Sequence, residues 1–148
     1  MSSTDINIAI GSDHAGYELK EILKNYLDLN GITYKDFGTD SSESVDYPIY
    51  AKKVCASIQT GESNSGVLVC GTGIGMCIAA NKHKNIRAAC CCDTYSAKMA
   101  RLHNDANILT IGSRVIGSGL ALEILKKFLS VDFEGGRHSE RVNMYDFM

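Results

Sequence analysis

The stretch "VLVCGTGIGMCIAAN", residues 67–81, runs from an apolar segment through three alternating glycines into an apolar, Ala-rich segment. That order reads as a buried strand, a flexible loop and a helix. Elsewhere the chain repeats the alternation. "INIAI" (6–10), "ITYKDF" (32–37), "GVLVC" (66–70), "IRAACCC" (86–92) and "ANILTIG" (106–112) read as strands. Helical patterns separate or follow them at 16–31, 47–59, 75–83, 94–104 and 118–130. Leu19, Ile22, Leu23, Tyr26 and Leu27 share one face of the first, which Gly31 is placed to stop. Pro48 suits a first helical turn, and Asp93 suits an N-cap. Strand runs too apolar for a half-exposed sheet predict a parallel one covered on both faces. The expectation is an α/β, Rossmann-like three-layer sandwich with a five-stranded parallel sheet, one domain over residues 1–148.

Bulk properties narrow the class. A chain of 148 residues can bury a core without disulfides, and its 45 % hydrophobic and 22 % charged residues are globular proportions. A net charge of −2 without single-sign runs argues against a nucleic-acid-coating surface. No stretch reads as a secretory signal or a bilayer span, so a cytoplasmic location and no membrane partner are expected. The six cysteines contain no C-x-x-C pair, which argues against zinc or a disulfide framework. "AACCCD" (88–93) reads as small residues of a buried strand.

In open parallel sheets, ligands bind beyond the carboxyl ends of the strands. "GSDHAG", "GTDSSESVDYP", "CGTGIG" and "GSRVIGSG" are expected there. "GTGIGM" misses the dinucleotide fingerprint because Met76 stands where its third glycine belongs, and no G-K-[S/T] follows for a Walker loop. Met76 also occupies the arginine position of a C-x5-R phosphatase loop. What remains is a thiol, Cys70, at a strand end before a helix start, where backbone N–H groups favour an anion and a thiolate. Cys70 could equally be the last buried residue of its strand. Asp13 and His14 read as a turn or a site, and His103 with Asn104 as a helix end or a site. Arg137, His138 and Arg141 read as a solvated helix face or a phosphate clamp, since i, i+4 spacing sets both guanidinium groups on one side. Together they suit a small phosphorylated substrate.

The segments "GSDHAG", "GTDSSESVDYP", "CGTGIGMCIAANK", "IRAACC", "YSAKMARLHNDANIL", "GSRVIG" and "FEGGRHSERV" resemble, in order, the type B ribose-5-phosphate isomerases. The resemblance implies a reversible ribose 5-phosphate to ribulose 5-phosphate isomerisation, with no cofactor and no metal. It makes Cys70 the base of a cis-enediolate proton transfer, Thr72 its neighbour, and His103 the group that opens the sugar ring. It assigns the enediolate oxygen to the N–H groups of Gly71, Gly73 and Gly75, with Ile74 in the same substrate-binding loop. Asp13, His14 and Asn104 would contact the sugar, and Arg114, Arg137, His138 and Arg141 the phosphate. It also implies a homodimer with shared sites, reached through a C-terminal arm at 133–148. The alternatives are a hexose 6-phosphate isomerase and a non-catalytic nucleotide- or metabolite-binding module.

Overall fold

The computed structural model describes residues 5–148. Its elements follow the alternation read above: β1 (Asn7–Ser12), α1 (Tyr17–Leu29), β2 (Thr33–Asp36), α2 (Tyr47–Gln59), β3 (Ser65–Cys70), α3 (Ile74–Ala80), β4 (Ala88–Cys90), α4 (Thr94–Leu102), β5 (Ile108–Gly112), α5 (Ser118–Ser130) and α6 (Arg137–Asn143). A short 3₁₀ turn, Met144–Phe147, follows. All strand pairings are parallel, in the order β2-β1-β3-β5-β4.

Because side chains alternate across a strand, the sheet residues divide into two cores. Ile8, Ile10, Val67, Val69, Leu109 and Ile111 pack with Leu23, Leu27, Ala97, Ala100, Ile124 and Phe128 of α1, α4 and α5. Ala9, Leu68, Cys70 and Ile108 pack with Ala51, Val54, Met76 and Ala80 of α2 and α3. The result is the expected three-layer sandwich. Asp93 caps α4 by accepting from the Ser96 N–H at 2.6 Å.

Two sequence expectations need correction. The strand read at 86–92 is ordered as β4 only over Ala88–Cys90, and it is an edge strand, not a buried one. Cys90 and Cys92 are exposed, while Cys91 turns into the core. Edge position explains this, since among the described residues only β5 flanks β4. The second concerns α6, whose face is not fully solvated: His138 is buried.

The β2–α2 connection is anchored at its start by a lysine. Lys20 of α1 is inaccessible to solvent, and its Nζ donates to both carboxylate oxygens of Asp36 at 2.8 and 2.7 Å. It also donates to the Thr39 carbonyl at 2.6 Å. The Thr39 N–H in turn donates to the Ser12 carbonyl, and the Ser12 N–H to the Gly38 carbonyl. This pins the loop against the end of β1, where Asp13 and His14 begin.

Candidate active site

Cys70 ends β3 in register with Gly112 at the end of β5. Its thiol is buried, and the Gly73 N–H donates to its Sγ at 3.1 Å. Gly73 can make that contact because it adopts φ +78°, and because a Cβ there would stand 2.9 Å from the Ile111 backbone carbon. The Thr110 hydroxyl holds the turn by donating to the Gly73 carbonyl at 2.8 Å. Thr72 Oγ1 accepts from the Ile74 N–H at 3.2 Å, so this hydroxyl shapes the loop rather than touching the sulfur through a described hydrogen bond.

Neighbouring loops close round this turn. The Arg114 N–H donates to the Gly71 carbonyl, and its side chain lies beside Gly71. Asp13 is buried, and its Oδ1 accepts from the Gly16 N–H at 3.0 Å, so one oxygen shapes the β1–α1 turn. His14 Nδ1 accepts from the Val45 N–H at 3.1 Å, which fixes the tautomer with the proton on Nε2. The sequence reading missed Tyr47, taken only as a helix start. Its ring stands where a Cβ on Gly75 would go, 2.7 Å from the nearest ring carbon. A glycine after two others, opposite an aromatic at a helix N-terminus, is a pairing that spacing cannot reveal.

The remaining residues gather elsewhere. β4 and β5 start together, Ala88 opposite Ile108, while Cys70 lies opposite Gly112. Helix α4 leaves the far end of β4 and returns to the start of β5, so His103 and Asn104 sit at the amino ends of the strands. Four residues of β5 separate the two levels, roughly 13 Å by strand rise. Asn104 lines a cleft of about 400 Å³ with Ala88, Ala106 and Tyr145, and donates to the Tyr145 hydroxyl at 3.3 Å. The His138 ring stacks on His103, with centroids 4.1 Å apart and planes 13° from parallel. The Glu134 N–H ties the arm to the Leu102 carbonyl at 3.0 Å.

One chain thus places the candidate residues in two groups at opposite ends of its sheet. One holds Asp13, His14, Cys70–Gly75 and Arg114, and the other His103, Asn104, Arg137, His138 and Arg141. The four loops expected at the carboxyl edge lie there, but the second group, which reads with them as suited to one phosphorylated substrate, does not. The reason is helix length: nine residues of α4 carry the chain back across the sheet.

The thiols differ by surroundings. Burial pushes Cys55 and Cys91 up to about 12, and raises Cys77 in the same direction, which disfavours their thiolate forms.

A parallel α/β sandwich with a thiol and glycine turn at its carboxyl edge is the architecture of a sugar-phosphate isomerase family. The chain belongs to the ribose/galactose isomerase family, whose model matches residues 8–145. It is 51 % identical over 138 residues to a putative sugar phosphate isomerase of Bacillus subtilis, covering 93 % of each chain. It is 48 % identical over 135 residues to ribose-5-phosphate isomerase B of Escherichia coli, covering 91 % of each. The crystal structure of a ribose 5-phosphate isomerase from Thermotoga maritima superposes with a TM-score of 0.95 at 54 % identity, over 97 % of this chain and 99 % of that one. Among the described residues, no helix is long and apolar enough to cross a membrane.

Proposed function

We propose that this protein interconverts ribose 5-phosphate and ribulose 5-phosphate. The observation that carries the mechanism is the Gly73 N–H aimed at Cys70 Sγ, the interaction a thiolate base accepts. Cys70 takes the C2 proton of the open-chain aldose, and the carbonyl electrons move onto O1 as the C1–C2 enediolate forms. A proton passes from the C2 hydroxyl to O1, the thiol returns its proton to C1, and the C2 carbonyl closes the reaction. Such a proton is too weakly acidic to leave unless donors hold the developing oxyanion. With the Gly73 N–H serving the sulfur, Gly71 and Gly75 supply that role, and Ile74 and Thr72 hold the turn. No cofactor or metal is required for any of these transfers.

The ring must open first, and His103 is the acid/base for it. It cannot reach Cys70 of its own chain, so we assign the working enzyme as a homodimer with two shared sites. A two-fold axis brings the His103 end of one copy to the Cys70 end of the other. Exposed apolar side chains beside both halves support this: Ile74, Ile78 and Tyr47 near Cys70, and Met144, Tyr145 and Phe147 near Asn104. The 133–148 arm then carries Arg137, His138 and Arg141 to the phosphate, with Arg114 from the other side, while Asp13, His14 and Asn104 hold the sugar. Phosphate binding far from C1 supplies the energy that orients it. Six free thiols fit a reducing cytoplasm.

The test is proton NMR of ribose 5-phosphate in D₂O with chelator-treated protein. Ketose formation with deuterium entering from solvent is expected, and its absence with Cys70→Ala. Near-normal turnover by Cys70→Ala would overturn the assignment.

A further inference from the structure

Three ligand atoms meet where the C-terminal arm, after α5, crosses the end of α4. Glu134 Oε2 lies 3.7 Å from His103 Nε2 and 3.8 Å from His138 Nε2, both beyond hydrogen-bond reach. All three atoms fall within 4.8 Å of one another. His138 is only 5 % exposed, and its Nε2 is buried without a hydrogen-bond partner among the described residues. An orphaned buried nitrogen carries a free-energy cost that calls for a ligand. Nothing in the proton-transfer chemistry uses Glu134.

We infer that His103, Glu134 and His138 form a site for one divalent transition cation, best suited to zinc, and that filling it opposes the isomerisation. The inhibitory half rests on the role proposed above for His103, because a metal would take the imidazole lone pair that ring opening needs. The donor set of two imidazoles and one carboxylate, with solvent at the fourth position, is one zinc accepts. Magnesium and calcium prefer oxygen alone. The nearby Arg137 and Arg141 oppose any cation by charge, so binding depends on ligand chemistry and on the Glu134 carboxylate.

Tetrahedral zinc with bonds near 2.0–2.1 Å needs ligand atoms roughly 3.3 Å apart. The stacked rings must lose some of their parallel alignment to converge. His103 and Glu134, with side chains 37 % and 55 % exposed, have the freedom to turn, whereas buried His138 does not.

The test must separate this site from the six thiols. Zinc affinity is measured on the whole protein by competition with a chromophoric chelator, for wild type, Glu134→Gln and His138→Asn. One equivalent of cobalt(II) then reports the donors by its visible spectrum. The expected result is a four- or five-coordinate cobalt spectrum without a sulfur-to-metal charge-transfer band. Zinc affinity should fall about tenfold or more in each variant. Glu134→Gln should isomerise normally in chelator yet resist inhibition by zinc. Sulfur ligation, or unchanged affinity in both variants, would overturn the site. Binding that tracks Glu134 while zinc leaves a working isomerase untouched would overturn the inhibitory half. Because affinity and spectra need no turnover, failure of the isomerase assignment itself would be visible separately, as a bound metal on a protein that never converts the sugar.

Discussion

The Gly73 N–H lies 3.1 Å from Cys70 Sγ, three residues away across the turn that ends β3. It joins the proposed base to the backbone that must also approach the substrate. A general base of this kind contributes about 10²–10⁴-fold to rate. Cys70→Ala should therefore lose that much in kcat while keeping its fold and its sugar-phosphate affinity. Circular dichroism, calorimetric titration with a substrate analogue and steady-state rates check the three parts together.

Gly73→Ala tests the geometry rather than the thiol. Its φ of +78° and the close Ile111 backbone leave a methyl group nowhere to go. A forced left-handed residue costs about 1–3 kcal/mol, and moving the turn aside would also withdraw the N–H from the sulfur. We expect a lowered urea midpoint together with a fall in kcat. A variant that loses stability but keeps its kcat would detach the Gly73 N–H from the chemistry.

Lys20 and Asp36 give a prediction about stability. Burial would raise the Asp36 carboxyl, but hydrogen bonds from Lys20, Lys24 and the Gly38 N–H outweigh it and hold the pKa below the ordinary 3.8. A depressed folded value contributes stability that is fully present above the unfolded value. That contribution is lost as pH falls through the folded one. Urea midpoints should accordingly drop as pH is lowered past about 4. Lys20→Met should cost about 3 kcal/mol at neutral pH, the low end for a broken buried pair because Lys24 stays 2.8 Å from Asp36. Its midpoint should also depend less on acid. Equal pH slopes for the two proteins would contradict this.

These relationships differ in how far the sequence reveals them. Strand runs such as Ile8–Ala9–Ile10 reveal the sheet, because an all-apolar run between turn signals allows few settings, and its two faces follow by alternation once the helices cover both sides. The Cys70 turn is legible for the same reason: a strand, three glycines and a helix allow few shapes. The Lys20–Asp36 pair is not, since it joins residues 16 apart whose side chains meet only once α1 lies on the sheet. Edge strands are also hidden. "AACCC" looks as buried as "VLV", yet strand order leaves Cys90 and Cys92 exposed. The division of the site is hidden most deeply. His103 and Cys70 are paired only by the family resemblance, and the return path of α4 sets them apart within one chain.

That separation yields the sharpest test of a shared site. Cys70→Ala and His103→Asn should each be inactive alone, since every site in either homodimer lacks one group. Mixing them in equal amounts under conditions that exchange subunits gives half mixed dimers if pairing is random. Each mixed dimer carries one site with both native groups and one with neither. Activity should recover to about a quarter of wild type, by the symmetry of a two-site dimer. Native mass spectrometry on a mass-tagged pair would report the mixed fraction, so recovered rate can be set against it. Mixed dimers without recovery would place His103 in the same site as the Cys70 of its own chain, or outside the chemistry altogether. Either result would break the link between the His103 end of one copy and the Gly73 turn of the other.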